Sequence, residues 1–306
     1  MSVHQPVISV VICSYNRADY IVNAIASLYN QTLDKAAFEV LVVDNNSIDN
    51  TQELVENYME QHRDLYCYYL TESRQGASYA RNTGAAFAKG NILCFMDDDA
   101  EAEPEFLERI TTFFNTHTDV AGLGGRIIPK YIPAEPAWMS HFVSSLVGNF
   151  DYSKNVEEFK PGKFPLESNM SVLKSCFDAI GGFNTALPGV VGTLRIGGEG
   201  KDFFLRLQEL GKKIYYDPAI IVHHVVEVKK LTPHYMYRVA SGIGRGERVR
   251  TKAIGNAAYV KKIFEYIYKL GGAVVLGLLY ALKGKPAQTR PVIQFRIDAL
   301  KGLLGK

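Results

Sequence analysis

Residues 90 to 99 read Gly90-Asn-Ile-Leu-Cys-Phe-Met-Asp-Asp-Asp99, and the fold turns on them. Ile92 to Met96 is a short apolar run of the kind that forms a strand buried on both faces. It stops on three carboxylates, Asp97, Asp98 and Asp99. Like charges this close repel, and a cation is the natural remedy. In an open α/β sheet, ligands bind at the carboxyl ends of the strands. The triplet therefore reads as a Mg²⁺ or Mn²⁺ site that receives a diphosphate. The plainer alternative is a solvated acidic loop at a helix N-terminus.

Upstream, the same pattern repeats. Val7 to Ser14 is a near-continuous apolar strand, followed by Tyr15-Asn16-Arg17 and a helical pattern over Ala18 to Asn30. Glu39 to Val43 is a second buried strand that ends on Asp44, and Asp44-Asn45-Asn46-Ser47 is rich in turn residues. A helix is predicted from Thr51 to His62, capped by Asp49 or Asn50. Leu65 to Leu70 is a third strand, and Gly76 opens a small-residue helix over Ala77 to Lys89. The order β-α-β-α-β-α-β predicts a parallel sheet covered by helices. The first strand is not followed by the G-x-G-x-x-G of dinucleotide-binding folds but by Ser14-Tyr15-Asn16-Arg17. Gly122-Leu-Gly-Gly-Arg126 lies inside a predicted strand and reads as backbone crowding.

The chain has 306 residues, enough for one large domain or a domain with an appendage, and 47% are hydrophobic, as in globular proteins. Cys13, Cys67, Cys94 and Cys176 are far apart, which argues against a disulfide framework or zinc site and fits a reducing compartment. Met1 to Pro6 lacks the basic-then-apolar pattern of a signal peptide. The net charge of +2 hides an asymmetry: residues 228–306 carry 16 Lys or Arg against 3 Asp or Glu, and the remainder is net acidic. A basic tail predicts an anionic counterpart. Its apolar middle argues for a lipid surface and against nucleic acid.

Four motifs stand in order: Ser9-Val-Val-Ile-Cys-Ser-Tyr-Asn-Arg17, Val42-Val-Asp-Asn-Asn-Ser-Ile-Asp-Asn-Thr51, Gly76-Ala-Ser-Tyr-Ala-Arg-Asn-Thr-Gly84 and Phe95-Met-Asp-Asp-Asp99. Asn169-Met170, Gly181-Gly-Phe183, Gly198-Glu199 with Asp202 and Arg206, and His223-His224 follow. The ordered set, over roughly residues 6 to 226, resembles the family 2 glycosyltransferases of GT-A fold. The resemblance implies a Rossmann-like, mostly parallel sheet with helices on both faces. It also implies a nucleotide-sugar donor, with UDP-linked sugars the expectation, a divalent cation and inversion at the anomeric carbon. Residues 1–227 would form the GT-A domain, with a nucleotide-binding half to about residue 120 and an acceptor half from 121. Residues 228–306 would form a basic helical extension.

By the resemblance, Asp44 accepts a hydrogen bond from the base, and Ser14, Tyr15 and Arg17 wall its pocket. Arg81 pairs with the diphosphate or the acidic triplet. The triplet has the spacing of the family's D-x-D motif: Asp99 binds the metal, Asp97 contacts ribose or a metal-bound water, and Asp98 lies on the alternate face of the extended segment. Asn169 contacts donor or acceptor, and Trp138 either stacks on a sugar or packs in a core. Inverting transfer needs a carboxylate base. The family pattern there is Glu-Asp with Asp as base, but this chain has Glu199-Gly200, so Glu199 is preferred and Asp202 is second. One of His223 and His224 completes the metal shell, with His223 slightly preferred.

Leu231 to Arg250 and Lys261 to Lys283 are predicted helical, with Gly242 and Gly244 as interruptions of the first. The uncharged Leu270 to Leu282 is too short to span a bilayer and reads as an interfacial helix on an anionic leaflet. The expectation is a metal-dependent inverting glycosyltransferase at the cytoplasmic face of the cell membrane. Its acceptor would be a hydroxyl of a glycan or lipid-linked substrate in polysaccharide or glycolipid synthesis. Two alternatives are an inactive scaffold, favoured by Gly200, and a sugar-1-phosphate nucleotidyltransferase, which would want a glycine-rich basic loop after the first strand.

Overall fold

The computed structural model describes residues 5–306. The order of elements is β1 (Ile8–Ser14), α1 (Ala18–Tyr29), β2 (Phe38–Asp44), α2 (Thr51–Gln61), β3 (Cys67–Thr71), α3 (Ala77–Phe87), β4 (Ile92–Asp97) and β5 (Ala100–Ala102). Next come α4 (Phe106–Thr116), β6 (Val120–Ile132), α5 (His141–Ser144), β7 (Glu157–Glu158), β8 (Met170–Leu173), α6 (Lys174–Ala179), β9 (Gly189–Val191) and β10 (Leu194–Ile196). The chain ends with α7 (Glu199–Glu209), β11 (Lys213–Glu227), α8 (Pro233–Ile254), α9 (Asn256–Leu282) and α10 (Thr289–Leu304). The chain folds as two compact units that interleave along the sequence. The first holds residues up to 128, 150–185 and 200–224; the second holds 129–149, 186–199 and 225–306.

The first unit is built on a mixed sheet in the order β3-β2-β1-β4-β8-β6-β11-β5, with β7 paired to β11. The half from β3 to β4 is parallel. The β4–β8 and β8–β6 pairs are antiparallel, so the sheet is mixed rather than parallel throughout. The register aligns Ser14 with Asp44 and Cys13 with Asp97, which brings the polar strand ends to one edge. Alternate residues of β1 serve opposite layers. Val10 and Ile12 pack with Ile21, Ile25, Leu28 and Phe106 on one face. Val11 packs with Ala80, Phe203, Phe204 and Leu207 on the other. Burial pushes the thiols of Cys13, Cys67 and Cys94 up to about 12, which disfavours the reactive thiolate.

At the opposite sheet edge a buried polar link holds three strands. The Ser9 hydroxyl donates to Glu39 Oε1 at 2.7 Å, and the Gly90 and Lys89 N–H groups donate to Ser9 Oγ and Glu39 Oε1. The glycine-rich segment of β6 is crowded as predicted: a Cβ on Gly124 would lie 2.4 Å from Pro165 and one on Gly125 2.1 Å from the Ile220 carbonyl. α7 begins at Glu199, directly after Gly197 and Gly198. β11 runs unbroken through Pro218, which falls between the residues paired with β7 and those paired with β5.

The second unit has its own core, with Val226, Val239, Tyr266, Val292, Phe295 and Leu303 at its centre and Trp138 packed against it. Gly242 and Gly244 do not interrupt α8; the helix is continuous and these glycines are contact positions. A Cβ on Gly244 would lie 1.9 Å from the Ala299 carbonyl of α10, and one on Gly302 2.0 Å from the Ser241 carbonyl of α8. The apolar stretch counted from the sequence belongs to a helix of 27 residues, α9. That helix is long and apolar enough to cross a membrane by length and composition, and 17% of its apolar window is buried. Phe264, Tyr268, Val275, Leu278 and Leu282 are exposed along it.

Gly90 tests the strand-edge packing, because a Cβ there would lie 2.7 Å from backbone atoms of Ile8 and Ser9, which cannot rotate away. Gly90→Ala is expected to destabilise the protein by about 2 kcal/mol, read as a lower urea midpoint.

Candidate active site

The strand ends converge because their loops are cross-linked. Asn16 and Asn46 both take left-handed backbone conformations, which asparagine tolerates better than most residues. The Asn16 N–H donates to Ser47 Oγ at 2.9 Å, and Asn16 Oδ1 accepts from the Ile48 N–H at 2.8 Å. Asp49 accepts from the N–H of Ala18 at the start of α1 and from that of Thr51 at the start of α2. One carboxylate thus caps two helices that flank the same edge. Asp44 is buried at the end of β2 and accepts from the Ser47 N–H. Ser14 is buried beside it, and its carbonyl accepts from the Asn45 N–H at 2.8 Å. Tyr15 is half-buried in the same loop.

Two residues that the sequence reading passed over anchor this edge. The Asn45 side-chain amide donates to the Glu72 and Arg74 carbonyls, and its oxygen accepts from the Gly76 N–H at 2.6 Å. Glu72 accepts from Arg74 and from the Thr83 hydroxyl. The Arg74 bonds, aided by Thr83 and opposed by burial, hold the Glu72 carboxyl down at about 2. A polar residue directly after a strand, as Glu72 is after β3, was the available signal.

The acidic triplet ends β4 and turns into β5. Ligand atoms of Asp97, Asp99 and His224 all lie within 4.8 Å of one another. His224 Nε2 is 3.0 Å from Asp99 Oδ1. Arg17 bridges the other two acids, with Nε 3.7 Å from Asp98 and Nη2 3.6 Å from Asp99. Arg81 is buried on α3, with Nη2 3.7 Å from Asp97 and its guanidinium over the Phe183 ring. The Ser168 hydroxyl also donates to Asp97. Burial, then the Asp99 charge, pushes the Asp98 carboxyl up to about 7, against the pull of Arg17. Two carboxylates and an imidazole, crowded and largely buried, fit a hard divalent cation with some tolerance for nitrogen.

The histidines alternate on β11, as the strand geometry requires. His224 pairs with Ala100 and faces the carboxylates, whereas His223 lies 2.6 Å from Glu103 Oε1, away from them. The preference for His223 over His224 is thus reversed. Asp98 is buried against Arg17. The Asn169 amide donates to the Arg126 and Ile220 carbonyls, tying β6 to β11. Asp202 is held by Arg206 at 2.8 Å, one turn along α7, and Arg206 also donates to the Ile180 and Gly182 carbonyls. Glu199 is buried at the start of α7 in the second unit.

The sequence profile described as Glycosyl transferase family 2 matches residues 9–181. A glucosyl-dolichyl phosphate glucuronosyltransferase of Haloferax volcanii is 25% identical over 224 residues, 71% of this chain and 68% of that protein. The glycosyltransferase AglE of the same organism is 36% identical over 118 residues, 38% of this chain and 38% of that protein, so this match spans well under half of the relative. Among solved structures, a mannosyltransferase, PcManGT, from Pyrobaculum calidifontis in complex with GDP-Man and Mn²⁺ superposes with a TM-score of 0.69. It is 19% identical, and the superposition covers 99% of this chain and 88% of that one, a likeness of fold.

Glu72 carries a pH signature. Its carboxyl is depressed in the folded state, so its contribution is present above the ordinary carboxylate value and is lost as pH falls toward about 2. Glu72→Gln is therefore expected to flatten the fall in melting temperature between about pH 4.5 and 2, measured by circular dichroism, and to leave the profile above pH 6 unchanged in slope.

Proposed function

The chain belongs to glycosyl transferase family 2, and from that premise we propose a metal-dependent, inverting transfer of a hexosyl group. The sugar moves from a nucleotide-sugar donor, UDP-linked by expectation, to a hydroxyl of a lipid-linked or glycan acceptor. The observation that carries the reading is the cluster of Asp97, Asp99 and His224 at the end of β4, set beside the cross-linked loops of β1 and β2. Asp97, Asp99 and His224 would hold Mn²⁺ or Mg²⁺, which supplies charge neutralisation to the leaving diphosphate. Asp44, Ser14 and Tyr15 serve the base, and Arg17 and Arg81 balance the carboxylates and the diphosphate. Asp98 supports the nucleotide edge through Arg17, and Asn169 supports it through β6 and β11. Of the two carboxylates read for the proton transfer, Asp202 is paired with Arg206.

The acceptor class follows from the second unit and from the relative named for a dolichyl phosphate substrate. The α9 helix carries Lys261, Lys262 and Lys269 with an exposed apolar face, in a tail of net positive charge. Such a helix fits an anionic lipid surface. The proposed location is the cytoplasmic face of the cell membrane.

Mn²⁺ titration by calorimetry, with and without UDP, tests the metal reading. Asp99→Asn is expected to abolish saturable Mn²⁺ binding and nucleoside diphosphate release. His224→Ala should weaken binding by about 10-fold or more, and His223→Ala by less than about 3-fold. Equal loss in the two histidine variants would sink the assignment. Flotation with phosphatidylglycerol vesicles tests the surface: Phe264→Asp/Leu278→Asp should stay with the aqueous phase while the parent protein floats.

A further inference from the structure

A carboxylate fills the place that a side chain at residue 200 would take. A Cβ at Gly200 would lie 2.5 Å from Glu167 Oε1, 2.8 Å from its Cδ and 3.0 Å from its Cγ. The Gly200 N–H donates to that same Oε1 at 2.9 Å. Gly200 sits in the first turn of α7, where unsatisfied N–H groups and the helix dipole favour an anion. Glu167 is half-buried, and its neighbour Ser168 donates to Asp97 of the cation cluster. The segment leading into β8 is thus tied to the cluster through Ser168 and to α7 through Glu167.

The family pattern puts a base carboxylate at position 200, and here the Glu167 carboxylate occupies that place. Asp97 and Asp99 belong to the cluster, Asp98 faces Arg17, and Asp202 is held by Arg206. We propose that Glu167 is the general base of the transfer, an inference that rests on the glycosyl-transfer reading. As the acceptor oxygen bonds to the anomeric carbon, its proton passes to the Glu167 carboxylate. The bond from that carbon to the diphosphate oxygen breaks, and its electron pair leaves on the nucleoside diphosphate.

Glutamine at 167 separates a base from a structural cap, because its side-chain oxygen can still accept from the Gly200 N–H. The experiment measures nucleoside diphosphate release from UDP- and GDP-hexoses with Mn²⁺ and polyprenyl phosphate in phosphatidylglycerol vesicles, alongside Mn²⁺ and UDP binding. Glu167→Gln is expected to bind Mn²⁺ and UDP like the parent, keep its donor KM, and lose about 100-fold or more in kcat together with the acid limb of the pH profile. Glu167→Ala removes the three atoms nearest to a Cβ at position 200, so Glu167→Ala/Gly200→Asp should recover to within about 10-fold of the parent, whereas Gly200→Asp alone should not. A glutamine variant within about 3-fold of the parent overturns the assignment and leaves the family reading intact. So does a loss with an unchanged pH profile and no recovery in the double variant. A parent protein that binds Mn²⁺ and UDP yet releases nothing from any donor overturns the transfer reading and the base with it.

Discussion

Three carboxylates close a strand that is otherwise buried hydrocarbon, and the rest of the first unit is arranged around their repulsion. Burial strengthens it, because the surrounding medium screens poorly. The chain answers with groups drawn from distant segments: Arg17 after β1, Arg81 on α3, Ser168 before β8 and His224 on β11. None of these elements needs to meet for hydrophobic reasons alone at that edge. The two arginines stand about 3.6 to 3.7 Å away, longer than a tight ion pair. The arrangement compensates charge without closing the space among the acids.

The same economy governs the neighbouring loops. Asp49 caps α1 and α2 together, and Asn16 and Ser47 exchange bonds across the gap between them. The first two β-α connections are therefore one rigid body rather than two independent loops. Preorganisation of this kind lowers the ordering cost of binding a flexible ligand. A nucleotide that entered here would meet walls already set.

Much of this was legible in the sequence, and the reason is periodicity. Strands such as Val7 to Ser14 and Ile92 to Met96 are buried on both faces and announce themselves by unbroken apolar runs. The polar residues that end them mark the edge to which Asp44 and Asp97 come, on either side of β1. Contacts between distant segments were not legible. Which histidine faces the acids depends on the register of β11 against β5, and that register is set by pairing, not by local pattern. Gly242 and Gly244 look like helix breakers until Arg195 is packed on the first and α10 on the second. Asn169 looks like a ligand contact until its amide is seen to tie two strands.

The pair formed by Glu167 and Gly200 has a further consequence, for descent. A side chain at 200 has to displace the flexible end of Glu167, and removing the carboxylate while keeping glycine takes away the acceptor of an α7 N–H. On the proposed base assignment the two positions are therefore coupled, and a change at one alters the cost of a change at the other. Across related chains the arrangements should fall into separate clades, with a small residue at 167 wherever 200 carries a side chain.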